Sequence, residues 1–224
     1  MDDFADPTVG RAERAPPSRR VLNAGSGSRA ARQLHSAFAA GDWQEVRLDL
    51  DPSVAPDVVG SVTDMRAAFA DGSFDAIWCS HVMEHLFAHQ VSEALAEFRR
   101  VLRPDGFALI TSPDLETVAE LVAARGLDAV IYVSAAGPIT PLDMIFGHGA
   151  SLARGREPMA HRTGFSCASL GNLLIEAGFA SVRAKRELYD LWALALMPDA
   201  DAEAIVASLK EAGLDFAAEV AEAA

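Results

Sequence analysis

Two glycines flank a serine at Gly25-Ser26-Gly27, between an apolar run (VLNAG, 21–25) and a stretch with helical spacing. A strand-to-helix turn of this kind exposes backbone N–H groups at the C-terminal edge of an α/β sheet, where ligands bind. Glycine suits it because a Cβ would obstruct the turn or the approach of a ligand. Asp49 follows 22 residues after Gly27, at the end of the next apolar run. A carboxylate there accepts two hydrogen bonds from a ribose diol, which fits an adenosine cofactor. The spacing Gly25-x-Gly27-x-x-Ala30 also satisfies the loose dinucleotide pattern, so a nicotinamide oxidoreductase is a rival. Neither Tyr132 nor Tyr189 is followed by lysine four residues on, as a Tyr-Lys catalytic pair would require.

Histidines are the next groups with chemistry to offer. His81, His85 and His89 recur every four residues, with Glu84 among them, and on an unbroken helix they would share a face as metal ligands do. His161 sits in HRTGFS, after an irregular stretch and before a helical one. Two roles are open to it: taking a proton from a substrate hydroxyl or amine, or fixing the loop and capping the helix together with Thr163. Around it, residues 150–186 hold six basic residues against two acids. Arg154, Arg156 and Arg162, with Thr163 beside them, are candidate contacts for a carboxylate or phosphate on a small substrate.

These residues need a scaffold, and the apolar periodicity supplies one. Short buried runs at 21–25, 46–50, 58–65, 74–79 and 107–112 alternate with helical stretches at 29–40, 91–102 and 115–124. Val91, Leu95, Phe98 and Leu102 form one stripe, and Arg103-Pro104-Asp105-Gly106 ends that helix. Strand and helix alternating at this rhythm predict a parallel sheet covered on both faces. Residues 126–164 are irregular and rich in Gly and Pro, as lids and binding loops are. A helix is predicted over 166–177, a closing antiparallel pair over 180–186 and 189–197, and terminal helices over 201–223, broken at Gly213. The division expected is a flexible arm (1–20), one domain (21–198, with 126–164 as a substrate lid) and an acidic helical appendage (199–224).

Charge excludes several classes of partner. The chain has 224 residues with 19 Lys+Arg against 32 Asp+Glu, a net charge of −13. Nucleic-acid binders and proteins docking on anionic membranes need clustered cations, so neither partner is expected. Seven acids against Lys210 fall in residues 199–224, where helices suit solubility or homo-oligomer contacts. The opening residues carry no apolar segment of the secretory type, and no apolar run reaches the roughly 20 residues of a membrane span. Cys79 and Cys167 match no redox or metal spacing, and a cytoplasmic location is expected.

Five segments in register, VLNAGSGS, RLDLDP, GSVTDM, FDAIWCSHVMEHL and FRRVLRPDGFALITSPD, resemble the class I S-adenosylmethionine-dependent methyltransferases of the bacterial small-molecule type. HRTGFS followed by AGF (161–179) resembles one branch of them. The resemblance implies a Rossmann-like α/β fold with a seven-stranded, mostly parallel sheet, S-adenosylmethionine as cofactor, and methyl transfer to a small-molecule nucleophile. It implies that Asn23, Ala24, Gly25, Ser26 and Gly27 approach the methionine portion of the cofactor. Asp49 would hold the ribose, Leu50 would pack on the adenine, and Asp64 with Met65 would meet the adenine amino group. Ser80 and His81 would line the pocket where cofactor meets substrate, with His85 beside them; the candidate base, read from the residues themselves, is His161, with His81 or His85 as substitutes. The resemblance also implies a break near Phe87-Ala88, which separates the three spaced histidines, so no metal is expected. Two departures stand out: Asn23 replaces the usual acid, and Arg29 the third glycine of the turn. They keep open a non-catalytic binding or assembly protein that retains the fold.

Overall fold

The computed structural model describes residues 19–31, 34–39 and 42–216. Most of the expected N-terminal arm, and the last residues of the expected C-terminal appendage, lie outside them. Arg19 and Arg20 already belong to the first strand.

Alternation along that strand, β1 (Arg19–Ala24), sets the two sides of the sheet. Leu22 and Ala24 enter one core, and Val21 enters the other. β1 pairs in parallel with β2 (Trp43–Asp49) and with β4 (Phe74–Ser80). The short β3 (Val58–Val59) extends β2. Beyond β4 lie β5 (Leu102–Pro113), β9 (Asp190–Leu196) and β8 (Ser181–Glu187), giving the order β3-β2-β1-β4-β5-β9-β8. β9 runs against both its neighbours, so the one reversed strand is second from the edge rather than at it. The chain turns back between β1 and β4, and α/β sheets bind ligands in the crevice beyond such a point.

Helices cover both faces, as predicted. α2 (Ala88–Val101) and α6 (Cys167–Glu176) bury Leu95, Phe98, Leu170 and Leu174 against one. α1 (Ser36–Ala39) and α7 (Ala202–Glu211) bury Phe38 and Leu209 against the other, beside Leu214 and Phe216. The C-terminal segment is therefore packed onto the sheet through Phe216. Among the described residues of the stretch predicted as a helix over 29–40 are a 3-10 turn at Arg29–Ala31 and the short α1, with Leu34, Ala37 and Phe38 packed on the core. Arg103-Pro104-Asp105-Gly106 forms an excursion in β5: Phe74 pairs with Leu102, but Ala76 pairs with Phe107.

The segment predicted as irregular holds local structure. A hairpin of β6 (Tyr132–Ser134) and β7 (Gly137–Ile139) is followed by α4 (Pro141–Phe146) and α5 (Gly149–Leu152). Val118 of α3 (Leu115–Arg125), Ile139 and Met144 make its own small core. Gly147, at φ +92°, lies so close to the Met159 carbonyl that a Cβ would stand 2.1 Å from its oxygen.

Asp114 joins these parts. Fully buried, it caps α3 by accepting from the Glu116 and Thr117 N–H groups, and it also pairs with Arg186 of β8. Its own N–H donates to the Tyr189 carbonyl. Burial alone would raise its pKa, but the Thr117 hydroxyl and Arg186 hold it below the usual carboxylate value. A depressed native pKa adds stability that is present above the unfolded value and lost as pH falls through the native one. Asp114→Ala is expected to lower unfolding free energy by about 2 kcal/mol at neutral pH. In urea titrations the gap to wild type should close on acidification below about pH 4, and a gap independent of pH would refute the assignment.

Candidate active site

The glycine turn leaves β1 at Ala24 with two left-handed residues, Gly25 (φ +69°) and Gly27 (φ +57°). Gly25 and Ser26 donate their N–H groups to the Leu48 carbonyl, which holds the turn against β2. A Cβ on Gly25 would lie 2.2 Å from the Val82 Cγ2, so only glycine allows the loop after β4 to come this close. Gly27 donates to the Asp49 carboxylate at 2.8 Å, and Asp51 donates to its other oxygen at 2.9 Å. Ser26 Oγ is buried with no hydrogen-bond partner among the described residues. A buried hydroxyl without a partner is costly, and a ligand is a common reason for one. Leu50, next to Asp49, is 63% exposed.

The rest of the sequence-predicted cofactor set divides. Asp64 is exposed on the turn after β3, while Met65 is buried and donates its N–H to Glu97 at 2.7 Å. Gly60 ties that turn to the end of β2 by donating to the Asp49 carbonyl at 3.0 Å. Asn23 is buried, and its amide donates to Glu45 at 2.7 Å. Its place in the strand puts it on the Val21 side of the sheet, opposite Ala24.

Beyond β4, Ser80 accepts from the Thr111 hydroxyl at 3.0 Å. His81 adopts φ +53°, uncommon for a residue with a side chain, and its N–H donates to the Thr111 carbonyl. Its ring lies between two carboxylates, with Nδ1 3.1 Å from Glu84 and Nε2 3.6 Å from Asp190. Burial pulls its pKa down, but the hydrogen bonds and charges of Asp190 and Glu84 prevail, and it is pushed up to about 10. His81 is thus an imidazolium at neutral pH. Burial would likewise raise the pKa of Glu84, yet its bond to His81 keeps it ionised.

Glu84 also draws the lid to the sheet. Its carbonyl accepts from the N–H groups of Arg162 at 2.8 Å and Thr163 at 3.2 Å, and its carboxylate accepts from Ser112. This docks HRTGFS on the loop after β4 and places His161 beside His85, ring centroids 4.9 Å apart. His85 Nδ1 lies 3.2 Å from the Ala160 carbonyl, and His161 Nδ1 lies 2.9 Å from the Met144 carbonyl. A carbonyl only accepts, so both Nδ1 atoms carry a proton and Nε2 stays outside these bonds. Burial lowers the pKa of His161, against the opposing charge of Glu84. On the far side, Tyr132 of the hairpin stacks on Tyr189 with centroids 5.6 Å apart.

Residues 22–110 match the family model described as a methyltransferase domain. The match covers 89 of the chain's 224 residues. No curated protein matches the chain in sequence. Among solved structures, it resembles the Burkholderia thailandensis 1,6-didemethyltoxoflavin-N1-methyltransferase, crystallised with 1,6-didemethyltoxoflavin and S-adenosylhomocysteine. That match has 18% identity and a TM-score of 0.50, over 82% of this chain and 72% of that one. A complex of the Haloferax volcanii Trm112 methyltransferase activator with a putative methyltransferase matches at 14% identity and TM-score 0.55, over 82% and 83%. An S-adenosylmethionine-dependent methyltransferase from Archaeoglobus fulgidus matches at 14% and 0.51, over 80% and 86%. Identities this low speak to the fold, which is the Rossmann-like class I methyltransferase fold.

Two residues of the site escaped sequence reasoning, and a third was read there only among the spaced histidines. Arg47 is buried beneath the turn, where it donates to the Gly27 carbonyl and to the Ala55 carbonyl at 2.9 Å. Glu45 receives the Asn23 amide, and Glu84 organises the histidines. An arginine or glutamate inside an apolar strand pattern is the one signal the sequence offered for the first two. The basic segment does not converge. Arg183 reaches toward the Phe216 carbonyl, Lys185 pairs with Glu187, and Arg186 with Asp114, all along β8. Arg162 lies over the Phe87 ring at 4.7 Å, and Arg154 donates to Ser151. Arg156 is exposed.

Gly72 shares the left-handed backbone of Gly25 but has open space around it. Gly72→Ala should cost about 1 kcal/mol, the strain alone. Gly25→Ala should cost about 2 kcal/mol more, because Val82 or the turn must move. Equal losses in chemical denaturation would show that the contact with Val82 does not hold the turn.

Proposed function

We propose that this protein transfers the methyl group of S-adenosylmethionine to a small-molecule nucleophile held between the loop after β4 and the lid. The observation that carries this reading is the glycine turn itself. Ser26 Oγ is buried without a partner among the described residues, and the Asp49 carboxylate accepts from the Gly27 N–H next to it. That donor set fits the cofactor: backbone and hydroxyl for the amino-acid portion, a carboxylate for a ribose diol, and exposed Leu50 for an adenine face. When bound, the cofactor supplies a methyl group already activated on a sulfonium.

The chain's own residues then have to align and shield. Asp49 uses its remaining lone pairs on the ribose hydroxyls, while Gly27 and Asp51 hold it in place. Asp64 and Met65 close the adenine end. Ser80 and His81 line the junction with the acceptor. His161 and His85 offer the Nε2 lone pairs that take a proton or a hydrogen bond from the acceptor, as a general base does. The lid covers them and limits water, Tyr132 and Tyr189 forming one wall. Arg154, Arg156 and Arg162 are the cations left on the lid for an anionic group of the acceptor. The described part of the C-terminal segment spends its apolar face on the sheet, which weakens the case for self-association through it.

Calorimetric titration of the purified chain with S-adenosylmethionine, S-adenosylhomocysteine and NAD tests the proposal. Both adenosyl ligands should bind, and Asp49→Ala should weaken them about tenfold or more, the worth of one charge-assisted hydrogen bond. Binding of NAD alone would make the protein an oxidoreductase. Binding of none would make it a non-catalytic keeper of the fold. With an acceptor that turns over, the triple alanine variant of Arg154, Arg156 and Arg162 should raise KM several-fold, and an unchanged KM removes the anionic acceptor.

A further inference from the structure

Glu84, His85 and His161 each present one ligand atom, and these atoms lie within 4.8 Å of one another. Two imidazoles and a carboxylate are a donor set for zinc and neighbouring divalent transition metals. Several features organise the three before any cation arrives. Each imidazole donates Nδ1–H to a backbone carbonyl, Ala160 for His85 and Met144 for His161. Metal-ligating histidines are commonly oriented in this way, with the tautomer fixed and Nε2 left for the metal. Glu84 is buried, with His81 and Ser112 on its oxygens. Those contacts use two of the roughly four lone-pair sites of a carboxylate, leaving room for a cation. The backbone bonds from Arg162 and Thr163 to Glu84 hold the two contributing loops in register.

We propose that Glu84, His85 and His161 bind a divalent transition-metal cation, zinc being the best chemical match, at the junction between the loop after β4 and the lid. The ligand atoms of a tetrahedral zinc stand roughly 3.3 Å apart, and rotation of the side chains closes the remaining distance. Three protein ligands leave a coordination position open, as catalytic rather than structural zinc sites do. The open position takes water in the resting protein and a hydroxyl or thiol of the acceptor in its place. A coordinated hydroxyl or thiol loses its proton to solvent and stays bound as the anion, a better nucleophile at neutral pH. In the loaded protein the Nε2 lone pairs serve as ligands, and the metal does the work otherwise assigned to a base. The inference reverses the expectation that no metal binds. It concerns the same crevice as the proposed function, yet it is read without any methyl donor.

The test is calorimetric titration of the chelator-stripped, full-length protein with zinc chloride, and its visible spectrum with cobalt(II). One zinc per chain and the d–d bands of a low-symmetry cobalt site are expected. His85→Ala and His161→Ala should each weaken zinc by more than about tenfold and lose the cobalt bands, with far-ultraviolet circular dichroism unchanged. His89→Ala, distant in role, should leave both intact. Absence of stoichiometric zinc binding, or binding indifferent to His85 and His161, would overturn the site. If Glu84→Gln unfolds the chain, the two histidine variants still decide. S-adenosylhomocysteine binding without zinc binding would sink this inference alone, and the converse would sink only the proposed methyl transfer.

Discussion

A carboxylate buried where a strand ends sets the terms for the whole crevice. Taking Glu84 out of water costs several kcal/mol unless it is paired and hydrogen-bonded. His81 supplies the paired charge and Ser112 a hydrogen bond, and Asp190 in turn holds His81. Three strand ends, those of β4, β5 and β9, are thereby committed to one another. The Glu84 carbonyl extends the commitment to the lid through Arg162 and Thr163. Removing any one partner leaves a charge uncompensated, which is why the left-handed backbone of His81 is tolerated there.

The opposite end of the crevice relies on another buried ion. Arg47 reaches under the glycine turn and satisfies the Gly27 and Ala55 carbonyls, with Glu45 3.9 Å from its Nε. Asp57 accepts the Arg47 N–H and pairs with Arg29, the residue standing where a third glycine was expected. The departure therefore has a local use: Arg29 pins the turn to the residues between β2 and β3. Asn23 has one too. Its amide donates to Glu45, and a carboxylate at that position would face Glu45 with like charge.

How much of this was legible in the sequence follows from how far apart the partners lie. β1, the glycine turn and Asp49 were readable because strand, turn and next strand are local, and a buried parallel strand has an unmistakable apolar run. The alternation of strand and helix followed from the same rhythm. Helix 29–40 was not, since two apolar residues at one spacing do not fix how far a helix runs. The cluster of Glu84, His85 and His161 spans 77 positions, and no spacing rule reaches that far. The regular trio of His81, His85 and His89 was the misleading signal. His89 stacks on Phe87 instead, 5.9 Å between centroids. The local excess of basic residues is smaller than it looks for a related reason: a window counts charges but not the acids, such as Asp114 on Arg186, that meet some of them.

Two kinds of constraint thus meet in one cleft. The cofactor end is held by backbone geometry, where a single Cβ at Gly25 would intrude, so its tolerance for substitution is set by shape. The acceptor end is held by charges that satisfy one another across elements distant in sequence, so its tolerance is set by electrostatics. Shape at one end can be written into a short motif, while balanced charge at the other can be reached by many residue combinations. The matched segment ends at residue 110, before the lid begins, which agrees with that division.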